Sequence, residues 1–568
     1  MKRCPQCNRV ETDDSLLFCR ADGTPLVEEP VAPEEAATRT LPTPDQTNQS
    51  DARTTGPTTA LAAEQTKSAP LPVARSRSLK PGIVVAIAIG VVLAVAAYFY
   101  TKQVKSVAPS NSIAVLPFVN ASGDATMEYL SDGISESLIN SLSQLPNMRV
   151  MARSTSFSFK GKDSDPLAIG KQLGVNVVLT GKIVQLGDNL SVQVDLVNVS
   201  DGSQLWGERY NRKFTDLLSV QEEIAREVVE KLRVRLTNED RDRLAKRYTE
   251  NIDAYRTYLE GRYEWNKRTG DGLNRSIEYF NQAIALDPAY ALAYAGVADA
   301  YSMLPQFANA PFDDSLMKAK AASLKALELD NSLAEAHISL ANVKQSLWDW
   351  NDVEAGYKRG LELNPNYATG HQWYSEYLIP VGRLAEAQKE IRRAQELDPL
   401  SLVINARVGI TAYFSRQFPL AEKQLKDALQ FNPEFILTNV FLFNTLYQEQ
   451  KIEESIPYLV TAAFNAYSKE ERARFESEIR NAYSRSGEKG MLAKLRELVK
   501  TSERQDYSYA YFLGWTLVRL GELDEAFVWL NRSADLKHPG IAVLRVDPMF
   551  DGVRSDPRFE QLMKRVGV

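Results

Sequence analysis

A period constrains this chain more than any other feature. From residue 253 onward one short phrase keeps returning: ALDP ending at Pro288, ELDN at Asn331, ELNP at Pro365, ELDP at Pro399 and QFNP at Pro433. The last three steps are 34 residues each and the first is 43, an insertion of nine. A unit of that length cannot bury its apolar face alone, so it folds by stacking on its neighbours. Small residues recur where paired helices must approach closely: Ala319, Val353, Ala387, Ala421 and Ser455 in one series, Ala283, Ala326, Gly360, Ala394, Ala428 and Ala462 in another. Phe280, Tyr357, Ile391, Leu425 and Leu459 fill the space between them. The pattern fades after Ser468 and returns once, at Leu513-Gly514, Ala526 and Leu530.

This is the spacing of tetratricopeptide repeats, each a helix pair closed by Pro, and it predicts an all-α solenoid over residues 253–540 with about seven units, some degenerate. The first helices of successive pairs should begin near Ala291, Ala334, Ala368, Leu402 and Ile436. First helices line the concave side of such arrays. Their groove-facing positions are then Asp299, Asn342, Gln345, Gln372, Glu376, Tyr413, Asn444 and Tyr447, a set of amides, carboxylates and tyrosines suited to a protein or peptide partner. The alternative is that several of them bond neighbouring repeats. Asp556 and Pro557 open a last short helix, and residues 541–568 read as a C-terminal cap on the open end of the solenoid.

The rest of the chain divides by composition. Residues 27–80 are rich in Ala, Pro, Thr, Glu and Ser without a run of large apolar residues, which predicts a disordered linker. Residues 81–101, PGIVVAIAIGVVLAVAAYFYT, carry no charge. About 20 apolar residues cross a bilayer core, so this run predicts a single transmembrane helix. Lys67, Arg75, Arg77 and Lys80 precede it and Lys102 and Lys105 follow, which places the N-terminus in the cytoplasm and the larger part outside it.

Residues 1–26 hold every cysteine in the chain: Cys4, Cys7 and Cys19. The two-residue gap between Cys4 and Cys7 lets a tight turn aim two thiolates at one metal, and Asp22 stands where a fourth ligand would. One zinc held by Cys4, Cys7, Cys19 and Asp22 is the expectation; the alternative is a ribbon that has lost its metal or completes the site with water. The segment resembles the short zinc-ribbon heads, CPxCG…FCxxDGTPL, of many bacterial signalling proteins.

Residues 111–236 alternate strand and helix signals and predict an α/β domain with a mixed sheet. Its strands are Ser112–Phe118, Arg149–Ala152, Asn176–Val184, Leu190–Val199 and Gln204–Arg209; its helices cover Met127–Gln144, Pro166–Leu173 and about Leu217–Leu236. The phrases SIAVLPFVN, YLSDGISESLINSL, RVMARSTSFSFKGK, LGVNVVLTGKI and LWGERYNR resemble the TolB amino-terminal-like (FlgO-like) domain. In relatives, that domain sits between a bacterial signalling head and a tetratricopeptide array. The resemblance implies envelope or protein interactions and no catalytic residue set. Asp132, Ser154, Lys160 and Lys162 read as turn and solvent-facing groups.

The fold class is therefore multidomain: ribbon-like head, membrane helix, α/β domain and helical solenoid. Only three histidines occur. His337 and His371 occupy one position of neighbouring repeats, which suits scaffold, and His538 sits in a turn. The sequence contains no phosphate-binding GxxxxGK[ST] loop, HExxH helix, kinase signature or GxSxG elbow, so an enzyme is not expected. Net charge is −6, and the head sets Lys2, Arg3, Arg9 and Arg20 against Glu11, Asp13, Asp14 and Asp22, which disfavours nucleic acid. Two functions remain: a membrane-anchored scaffold of the bacterial inner membrane that binds a protein partner, or a transmembrane signalling component whose head binds a cytosolic regulator or nucleic acid, or which serves a kinase or nucleotide cyclase.

Overall fold

The computed structural model describes residues 111–567 apart from 163–164, 309 and 502–506, together with 2–3, 10–11 and 27–28. Residues 1–27 and 109–568 form one unit and 28–108 another; the first is described here. Near the N-terminus, Lys2–Arg3 pairs antiparallel with Val10–Glu11. Cys4, Cys7, Cys19 and Asp22 lie outside the described residues, and so does the span 81–101. Among the described residues no helix is long and apolar enough to cross a membrane.

The α/β domain is built on a mixed sheet. Its strands are β1 (Ser112–Val115), β2 (Val119–Asn120), β3 (Arg149–Val150), β4 (Val177–Leu186), β5 (Asn189–Asn198) and β6 (Gln204–Lys213). The order is β3-β1-β4-β5-β6, with β2 also beside β4. Strands β1, β2 and β3 join in parallel, and β4, β5 and β6 form an antiparallel meander. Alternation drives the meander: Leu190, Val192, Val194 and Leu196 are all buried on one face. Helices α1 (Glu128–Ser143), α2 (Arg153–Phe157), α3 (Pro166–Leu173) and α4 (Leu217–Lys231) complete the domain. Helix α4 ends five residues before the sequence pattern suggests, because Arg233 takes a left-handed φ of 53°. Strand β6 runs four residues beyond its expected end, carried by pairing with β5 as far as Lys213.

A short helix α5 (Asn238–Leu244) leads to the array, whose pairs are α6 (Ile252–Trp265) with α7 (Gly270–Leu286), α8 (Ala291–Phe307) with α9 (Phe312–Leu329), α10 (Ala334–Ser346) with α11 (Val353–Leu363), α12 (Ala368–Leu378) with α13 (Leu384–Leu397), α14 (Leu402–Phe414) with α15 (Phe418–Leu429), and α16 (Ile436–Gln448) with α17 (Ile452–Ala463). The five first helices start where the period places them. The nine inserted residues lengthen one hairpin: α8 and α9 have 17 and 18 residues, against 13 and 11 in α10 and α11. The apparent fading after Ser468 has a local cause. Helix α18 (Lys469–Thr501) is two helices broken at Ser486 and Gly487, where Gly487 has φ 61° and ψ −150°, a conformation open to glycine. Helices α19 (Tyr507–Leu520), α20 (Leu523–Asp535), α21 (Pro539–Ala542) and α22 (Pro557–Val566) follow. The described residues thus form a tetratricopeptide-like solenoid joined to a mixed-sheet domain.

The C-terminal segment packs on the last helix pair, where Arg558 lies 2.7 Å from Asp524 and over the Phe527 ring. It also reaches back to earlier repeats, and Phe550, Leu562 and Met563 enter the same buried cluster as Tyr413 and Phe527.

Candidate functional site

The first five helix pairs each close with an Asx residue before a Pro or Asn, and these residues do two things. Asp287, Asp330, Asn364 and Asn432 each accept a hydrogen bond from the amide two residues on, which shapes the turn into the next helix. Four of the five Asx positions also reach out of the array. Asp287 accepts from the Thr249 hydroxyl at 2.5 Å, and Asp330 from the Lys246 ammonium at 2.5 Å. Asn364 donates to Ser143 at 2.9 Å, and Asn366 donates to the Ser143 and Leu145 carbonyls at 2.9 and 3.1 Å. Asp398 accepts from Ser154 and, at 2.7 Å, from Thr155; the Ala152 amide bonds the Leu397 carbonyl at 2.8 Å. Burial pushes the Asp398 carboxyl up, and the two hydroxyls only partly oppose it. The turns of the array thus form a ladder that holds the α/β domain and its connecting segment.

A buried charge cluster reinforces this contact. Glu136 on α1 accepts from Arg262 Nε at 2.8 Å and from Asn266 at 2.9 Å, and Arg153 Nε lies 2.8 Å away. Burial alone would raise its carboxyl, but Arg262 and Arg153 outweigh burial and hold it low. Helix α1 packs so closely on α6 that a Cβ on Gly133 would lie 2.8 Å from Leu259.

One solvent-facing reading needs correction here. Asp132 is buried beneath Lys160, whose ammonium lies 2.5 Å from it. Sequence shows a polar residue and not the partner that covers it. Ser154 is exposed, as expected, although its hydroxyl also serves the ladder.

The groove positions fall into three groups. Asp299, Tyr413 and Tyr447 are buried. Asp299 accepts from Ser339 at 2.5 Å, with Arg262 at 3.7 Å, and burial raises its carboxyl against both. Tyr413 donates to Asp547 of the C-terminal segment, and Tyr447 donates to Glu488 while accepting from Arg519 at 3.0 Å. Gln345 and Glu376 are half-buried and engaged by neighbours: Tyr357 donates to Gln345 at 2.7 Å, and Arg407 lies 2.9 Å from Glu376. Gln372 donates to Glu376 at 2.9 Å. Asn342 and Asn444 are half-exposed. The structure does not gather the eight side chains into one surface.

The same period marks a second set of side chains. His337, His371, Asn405 and Asn439 are spaced by 34, and each places a side-chain nitrogen 2.8–3.1 Å from the carbonyl six residues earlier. These side chains pin the turn of each repeat. Both histidines are scaffold. The C-terminal segment adds long-range ties, Arg416 to Asp551 at 2.7 Å and Trp350 Nε1 to the Val566 carbonyl at 2.7 Å, and just before it Lys537 reaches Asp313 at 3.0 Å. Among the described residues no cluster of His, Cys, Asp and Glu could hold a metal ion.

Comparison with known proteins finds similarity over parts of the chain. Residues 109–227 match the family model for the HilA/YgeH-like transcriptional regulator, second domain. "Putative adenylate cyclase 3" of Rhizobium meliloti is 32% identical over 233 residues, 40% of this chain and 39% of that protein. Transcriptional regulator HilA of Salmonella typhimurium is 23% identical over 323 residues, 55% of this chain and 56% of that one. The chain therefore spans from two-fifths to just over half the length of these curated relatives. Among solved structures, Pseudomonas aeruginosa PilF aligns at 20% identity and TM-score 0.31 over 40% of this chain and 97% of that one. Yeast Tom70 aligns at 15% and 0.34 over 62% and 82%. Residues 109–227 are thus similar to the second domain of HilA/YgeH-like transcriptional regulators, and they are joined here to a tetratricopeptide-like solenoid.

Proposed function

We propose that this chain is a membrane-anchored, non-catalytic scaffold whose repeat array binds a protein or peptide partner. One observation carries the reading: the array already grips a folded domain and its connecting segment through Asx side chains at four successive turns, Asn364 and Asp398 on the domain and Asp287 and Asp330 on the segment. The fifth, Asn432, is exposed, and among the described residues its side chain bonds the Glu434 amide alone. It stands beside Phe431 and Ile436, which are 55% and 43% exposed. A partner presenting a hydroxyl or amide next to an apolar side chain would use that turn as the α/β domain uses those of Asn364 and Asp398. The uncharged run 81–101 supports a single span of the bacterial inner membrane with the N-terminus cytoplasmic, and the spacing of Cys4, Cys7, Cys19 and Asp22 supports one zinc in the head.

A photoreactive residue at 342, 432 or 444 in living cells tests the scaffold reading, with position 358 on a second helix as control. A discrete crosslinked protein from 432 or 444 and none from 358 supports it; no product from any of the three sinks it. A second reading, a signalling component serving a regulator or a cyclase, draws on the similarity of residues 109–227 to a transcriptional regulator's second domain and on the name of the Rhizobium meliloti relative.

A further inference from the structure

The α/β domain has two sheet faces with different fates. One is covered by α1 and α4, and α1 in turn packs on the array. On the other, α3 covers only the corner around Val178 and Val199. Among the described residues, nothing covers the rest of that face. Strand register puts Val119, Lys182, Leu186, Arg209 and Lys213 on it: Val119 pairs with Lys182, Lys182 with Gln193, Gln193 with Arg209, Leu186 with Asn189, and Asn189 with Lys213. Val119 is 54% and Leu186 68% exposed. Among the described residues, none of the three cations has a carboxylate within ion-pair distance, although Arg209 donates to Gln193 at 2.8 Å. Asp195, held by Gln204 at 2.8 Å, is the acidic strand residue on this side.

We propose that this open sheet face is a docking surface for an acidic protein segment with interspersed apolar side chains. Three unpaired cations flanked by two exposed aliphatic groups define the complement: carboxylates spaced between small apolar residues. The chain as a whole is acidic, at −6, so the local positive charge stands against the general field. Nucleic acid is the poorer fit, because base recognition on a sheet relies on exposed aromatic rings for stacking, and Trp206 and Tyr210 point to the other face. Size sets the strength. Three ten-residue strands about 4.8 Å apart offer roughly 33 by 14 Å, about 460 Å², well short of the ~800 Å² per side of a stable complex. The surface suits transient, salt-sensitive capture.

Fluorescence anisotropy on the full-length chain in detergent tests this, with an alternating glutamate–valine decapeptide as probe. The wild type should bind it at low salt, and Lys182→Glu, Arg209→Glu and Lys213→Glu together should weaken binding about tenfold or more while leaving the melting curve in place. Val119→Ser with Leu186→Ser should weaken it by a smaller factor, about threefold. If charge reversal unfolds the domain, the corresponding triple glutamine variant decides in its place. Equal affinity of wild type and charge variant overturns the proposal, as does absence of binding. Preferential binding of an oligothymidylate also overturns it, in favour of a nucleic-acid surface.

Discussion

Glu136 shows how one side chain can hold two domains together. It is buried, and Arg262, Arg153 and Asn266 satisfy its oxygens. Removing one member of a buried, hydrogen-bonded cluster leaves the others charged and unpaired, which costs about 3–5 kcal/mol. Glu136→Ala should therefore lower the unfolding free energy by that order in a denaturant titration; a loss below about 1 kcal/mol would mean the cluster is solvated. Asp547 behaves in the opposite sense. Burial raises its carboxyl to about 6, against bonds from Tyr413 and the Met549 amide that lower it. Because the folded value lies above the usual 3.8, the native state holds the proton more tightly than the unfolded chain. Its contribution to stability is full below about pH 4 and is lost as pH rises through about 6. Asp547→Asn keeps an acceptor for both donors, so the melting temperature of the variant should vary less than the wild type's between those two pH values. An unchanged profile would place the titration elsewhere.

Individual elements were legible in the sequence to the extent that period and alternation govern them. Helices α8, α10, α12, α14 and α16 begin at the residues the repeat selects, one step of 43 and three of 34, because the small-residue series fixes which positions meet. The β4–β5 hairpin follows from strict alternation around Gly187, whose φ is 58°. The candidate site was legible only in part. Period identifies the concave face of a first helix and says nothing of what the chain folds onto it, so Tyr413 and Tyr447 read as groove residues although Asp547 and Glu488 receive their hydroxyls. The ladder was hidden for the same reason: Asp398 looks like a turn cap until Ser154 and Thr155, more than 240 residues earlier, are placed beside it. Asp398→Ala should loosen that rung without melting α13 or α14. The amide of Ala152, which bonds Leu397, should then exchange at least about tenfold faster, while core amides of the sheet hold their protection. Equal exchange at Ala152 would show that the rung carries no weight.

For the whole molecule, the C-terminal segment changes what kind of array this is. A free solenoid folds and unfolds through neighbours only. Here Trp350, Tyr413, Arg416 and Gln448 all contact residues 547–566. Deleting 541–568 strips cover from Tyr413 and Tyr511, so the truncated chain should bind a hydrophobic dye and melt in more than one step where the full chain melts in one. Retention of a single transition would mean the segment is an ornament. The lengthened α8–α9 hairpin has a matching role, since its tip brings Asp313 to Lys537. These distant contacts also set a clock. The hydroxyl of Tyr413 meets its acceptor 134 residues later in the chain. At about 5–20 residues per second of synthesis, that is a wait of roughly 7 to 27 s during which the middle repeats exist without their lining. A chaperone, or a neighbouring nascent copy, has that interval in which to reach them first.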